Sequence, residues 1–73
     1  MKVQIKELAR YYSDDKQKTA IIELLNEYGN ETLQVHCYAE TQHGHRDHTI
    51  LIAKHMAQAS HLAEDFVYGV LRG

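Results

Sequence analysis

Six histidines in 73 residues is a high density, and three of them fall in the stretch His43-Gly44-His45-Arg46-Asp47-His48. With His36 and Cys37 just upstream, several nitrogen and sulfur donors gather near one short segment. Neutral imidazole binds zinc, nickel and copper, and a thiolate adds affinity for softer ions. The candidate metal set is His43, His45 and His48, with His36 as a further donor, and zinc or nickel is the expected ion. The spacing matches none of the stronger signatures, since there is no Cys-x-x-Cys pair and no His-Glu-x-x-His. Cys37 shares parity with Leu33 and Val35, which aims it at a core while His36 points away. A lone cysteine so placed reads first as a small buried apolar residue. The plainer expectation for the histidines is a solvated hairpin tip, with a pH-responsive cluster as a further reading. His55 and His61, near the last apolar stripe, read as structural or surface residues.

Acid–base chemistry needs two titrating groups held in a pocket. His36, Tyr38 and Glu40 alternate along one polar face and form a candidate trio for proton transfer or binding. Nucleophile elbow, phosphate loop and triad spacings are all missing from the sequence. A chain of this length rarely encloses a pocket of about 300 Å³ or more by itself. The expectation is a protein that is not an enzyme.

Charge is unevenly placed. Lys2, Lys6, Arg10, Lys16 and Lys18 lie early, whereas residues 19–40 carry Glu23, Glu27, Glu31 and Glu40 and no Lys or Arg. A basic N-terminal face with Tyr11 and Tyr12 as stacking groups would suit single-stranded nucleic acid. The formal net charge of −2 and the absence of a recognition-helix or RNP-type signature argue against nucleic acid as a partner. Five tyrosines and no tryptophan point instead to surfaces buried against another protein.

These side chains need elements to hold them. In residues 2–12, Val3 and Ile5 alternate with polar residues as a short strand would. Ile5, Leu8, Ala9 and Tyr12 follow the spacing of a helix, which matches more positions and is favoured. Ser13-Asp14-Asp15 then reads as a helix start. Ala20, Ile21, Leu24, Leu25 and Tyr28 form an amphipathic stripe, closed by Gly29, so residues 14–28 are expected to be helical. Period 2 takes over with Leu33, Val35, Cys37 and Ala39. A polar loop around Gly44 follows, then a second strand carrying Thr49, Ile50 and Ile52. Residues 32–41 and 48–54 thus form an antiparallel hairpin. Both parities of the second strand are apolar, so it is expected to be covered on both faces. Ala59, Leu62, Ala63, Phe66, Val67 and Val70 mark a last helix over residues 56–71, with Gly69 inside the pattern and Arg72 favourable at its carboxyl end.

The whole is an α+β fold, a hairpin covered by helices, in one small domain of residues 1–73. Composition excludes collagen, low-complexity disorder and a disulfide scaffold: 44% hydrophobic, 25% charged, no Pro and one Cys. The longest purely apolar run, residues 50–53, is far short of the roughly 20 residues that span a bilayer. A single cysteine and the lack of a leader-like apolar stretch after Met1 point to the cytoplasm. A core this small, with one strand apolar on both sides, calls for completion by a second copy, the alternative being a monomer whose N-terminal segment forms a third strand and closes the sheet. The leading expectation is a non-enzymatic interaction or regulatory protein acting as a homo-oligomer, a dimer favoured, with a heterologous protein partner also open.

Overall fold

A computed structural model describes residues 3–41 and 43–69. Lys2, Val70 and Arg72, which enter the sequence reading, lie outside them, as does the end of the expected helix over 56–71. Among the described residues four strands run in sequence, β1 (Val3–Tyr12), β2 (Lys18–Glu27), β3 (Asn30–Glu40) and β4 (Arg46–Ala53), followed by one helix, α1 (Met56–Tyr68). The strands form a single antiparallel meander in the order β1-β2-β3-β4, and α1 packs on one side of it, chiefly over β2 and β3.

The α+β class and the β3–β4 hairpin agree with the sequence reading, but the helix expected over 14–28 is a strand, and the first segment takes the strand form of its two readings. Residues 14–28 are a turn followed by β2. Their apolar positions recur at helical spacing only because both faces of β2 carry aliphatics: Ala20 and Ile22 point to α1, Ile21 and Leu25 away from it. A doubly apolar strand hides its period of 2, and length alone cannot then separate it from a helix. Ser13, Asp14 and Asp15 serve a turn instead of a cap. Ser13 Oγ donates to Asp15 Oδ1 (2.7 Å) and accepts from the Lys18 N–H (3.0 Å), while Asp15 also accepts from the Gln17 N–H (3.0 Å). The same short polar side chains satisfy stray backbone N–H groups in either setting.

Of residues 2–12, favoured as a helix, Val3–Tyr12 form β1. Pairing runs from Glu7↔Glu23 to Ala9↔Ile22, which leaves Leu8 as the extra residue of a β-bulge. The bulge switches parity in mid-strand, so Ile5, Leu8 and Tyr12 acquire helix-like spacing within an extended chain. Tyr28 and Gly29, with φ of 53° and 89°, turn β2 into β3. Two adjacent left-handed residues are what a two-residue hairpin of matching twist requires. Gly29 therefore uses the conformation expected of it, in a hairpin and not at a helix end.

The core lies between sheet and helix. Ala20, Ile22, Val35, Cys37 and Ala53 meet Ala59, Ala63 and Val67, three residues on one helical stripe. Small alanines allow close approach of α1 to the sheet, and Leu33, Leu51, Leu62, Phe66, Ala9 and Tyr11 pack around them. Reciprocal bonds hold the start of α1: His55 Nδ1 accepts from the Gln58 N–H (3.2 Å), and Gln58 Oε1 accepts from the Lys54 N–H (2.8 Å). Gly69, expected inside the helix, lies just past its end, where its N–H donates to the Asp65 carbonyl (3.0 Å).

Candidate functional site

The side of the sheet opposite α1 has no layer on it among the described residues. Its rows follow from strand register. Tyr12, Thr19, Tyr38 and His48 form the first, Arg10, Ile21, His36 and Ile50 the second, and Glu7, Glu23, Gln34 and Ile52 the third. Ile5, Leu25 and Thr32 continue it towards the β2–β3 turn. β4 was expected to be covered on both faces. Instead Leu51 and Ala53 face α1, while Ile50 and Ile52 are 47% and 59% exposed on the open side. Ile5 is 62% exposed there. These aliphatics sit on the two edge strands, with Glu7, Glu23, Gln34 and His36 between them.

The polar groups of the face are tied to one another. Arg10 donates to both carboxylate oxygens of Glu7 (3.1 and 2.7 Å) and to the Tyr12 hydroxyl (3.3 Å). These bonds hold the Glu7 carboxyl below its usual range. His36 Nε2 lies 3.2 Å from Glu23 Oε1 and 3.0 Å from Gln34 Oε1. Its Nδ1 is 3.1 Å from His48 Nε2, with the two ring planes inclined by 24° and the centroids 5.3 Å apart. Tyr38 stacks on His48, centroids 4.4 Å apart and planes within 8°. Glu23, His36, His48 and Tyr38 thus form a continuous polar path across three strands.

Of the four candidate metal donors, the structure brings His36 and His48 together. His43 and His45 stay exposed in the β3–β4 loop, where the His45 N–H donates to Thr41 Oγ1 (3.1 Å) and the Gly44 N–H to the Thr41 carbonyl (3.1 Å). No three His, Cys, Asp or Glu side chains converge on one point among the described residues. Cys37 is buried on the helix side, and burial raises its thiol pKa. The trio His36, Tyr38 and Glu40 shares the open face as its alternation implies, with Glu40 opposite Arg46 at the hairpin end.

The early basic residues are divided. Arg10 is on the open face, Lys16 is in the β1–β2 turn, Lys18 sits over the Phe66 ring (5.9 Å) and Lys6 pairs with Leu24 on the helix side. Tyr11 reaches Ser60 Oγ (3.5 Å) beneath α1, while Tyr12 faces out. Arg10, Lys16, Ile21, Tyr38 and Arg46 border an open hollow of about 270 Å³ at the turn end of the face. Glu23 and Gln34 enter the site through β2–β3 pairing, which a helical reading of residues 14–28 conceals. The signal that could have found them is Tyr28-Gly29, a hairpin turn flanked by two runs of similar length. No helix among the described residues is long and apolar enough to cross a membrane. Comparisons with protein-family models, curated proteins and solved structures gave no match.

Proposed function

We propose that this chain is a small interaction protein that works by self-association, a second copy packing its open sheet face against the first. The observation that carries this reading is the aliphatic surface of Ile5, Ile50 and Ile52, exposed on the side of the sheet without a helix. Four strands about 4.8 Å apart and about 33 Å long offer a face of roughly 600 Å². Two such faces bury about 1,200 Å², the lower bound of a specific standard-size interface.

Shape supports the same reading. The shortest dimension of the chain is 14 Å, one sheet with one helix on it. Stacking two sheets at about 10 Å would enclose the aliphatics in a second core. Charge supports a like partner over a strongly charged one. Glu7 is paired with Arg10, and Glu23 has the His36 ring as a hydrogen-bond partner within the face, so two copies can meet with both carboxylates already partnered. A role as a regulator or accessory subunit in a reducing cytoplasm fits a protein that acts through contacts and keeps its one thiol buried.

Sedimentation over a concentration series tests the reading with Ile52→Glu and Ile5→Glu. The wild-type chain is expected to dimerise with increasing concentration, and each variant to stay monomeric with an unchanged circular dichroism spectrum. A wild-type monomer at all concentrations would overturn self-association. It would leave the face to a different protein.

A further inference from the structure

We infer that His36 and His48 together chelate a divalent transition ion of the copper, nickel and zinc group, through His36 Nδ1 and His48 Nε2. Two nitrogens bound to one ion at about 2.0–2.1 Å, at right-angled to tetrahedral geometry, lie about 2.8–3.4 Å apart. The two nitrogens here are 3.1 Å apart. The register of β3 against β4 fixes this spacing, since His36 and His48 occupy neighbouring rows of one face.

The surroundings set the protonation that a ligand needs. Glu23 Oε1 and Gln34 Oε1 both lie against His36 Nε2. A carboxylate there holds the proton on Nε2 and leaves the lone pair on Nδ1. In the ion-free protein the proton between the rings then belongs to His48 Nε2, which donates it to His36 Nδ1. On binding, the His48 Nε2 proton passes to solvent as solvent protonates His48 Nδ1, so each ring keeps one N–H and the exchange balances. His48 is exposed on an edge strand, free to tilt its ring towards the ion while Tyr38 supports one side. Glu23 is a positioning residue and not a ligand. Two imidazoles and no thiolate select borderline ions over calcium or magnesium, with copper(II) the tightest divalent ion. Water completes the coordination, so the site exists in one copy and goes beyond the self-association reading.

The test is calorimetric titration of untagged, monomeric protein, at low concentration, with copper(II), nickel(II) and zinc(II) salts in turn. One copper(II) per chain is expected, bound more tightly than nickel or zinc, with an electron paramagnetic resonance spectrum showing two nitrogen ligands. His48→Ala and His36→Ala are each expected to weaken copper binding at least tenfold. Glu23→Gln should weaken it less, and a His43→Ala, His45→Ala double variant should leave it unchanged. Affinity no tighter than about 10⁻⁴ M, equal affinity in His48→Ala, or loss in the loop double variant would each overturn the assignment.

Discussion

Ile22 and Ile52 are the same residue type in one sheet, yet Ile22 is fully buried and Ile52 is more than half exposed. The difference lies in the two faces. A single helix of 13 residues is about 20 Å long and 10 Å wide, enough to cover the middle of one side. Beneath it the residues are small and interlocked, Ala20, Ala53, Ala59 and Ala63 setting a close approach. The other face carries larger aliphatics with cross-strand polar pairs, and among the described residues no helix comes up to meet them. Side-chain hydrophobicity therefore does not fix the position of the core in this chain. The helix selects one of two apolar faces, and the other remains available for contact.

That contrast can be broken by substitution. Ile22→Ala should destabilise the fold by about 2–5 kcal/mol in urea unfolding, through lost burial and a residual cavity. Ile52→Ala should change folding stability by no more than about 0.5 kcal/mol, because its side chain stays in water in the single copy. Equal effects of the two would erase the distinction between the faces. Ser13→Ala comes next. It removes a nearly buried hydroxyl that links the β1–β2 turn to Asp15 and Lys18, at a cost of about 1–2 kcal/mol. Gly29→Ala places a Cβ at φ +89°, with open space around it. The strain is conformational alone, so the expected loss is about 1 kcal/mol, and both faces should keep their register.

The smallest effect is one of pH. In the folded chain Asp15 titrates below its ordinary value, because the Gln17 N–H and the Ser13 hydroxyl bond to its carboxylate. As pH falls the unfolded chain takes up this proton first. The stabilisation is thus present above the unfolded value of about 3.9 and lost as pH drops through the folded one. Unfolding midpoints between pH 5 and pH 2 should fall less in Asp15→Asn than in the wild-type chain.

The β3–β4 hairpin and α1 were legible because each carries an undisturbed period, 2 in Leu33, Val35 and Cys37 and 3.6 in Ala59, Ala63 and Val67. β1 and β2 were not, for separate reasons. The bulge at Leu8 resets parity within β1, and β2 is apolar on both sides because one face meets α1 and the other is the open face. The polar side of His36 was legible from alternation. Its neighbours were not, because His48 depends on the loop that sets β3–β4 register and Glu23 depends on recognising β2 as a strand. The exposure of Ile50 and Ile52 was hidden as well, since an apolar pattern on both parities does not say which side a single helix will take.

Nitrogen-15 correlation spectra of the wild-type chain over a dilution series test the central claim most directly, because they report every backbone amide. Concentration-dependent shifts confined to β-strand residues of the open face, centred on Ile5, Ile21, Ile50 and Ile52, are the predicted result. Shifts centred on the outer surface of α1, or none up to millimolar protein, would contradict the claim that the open sheet face is where two copies meet.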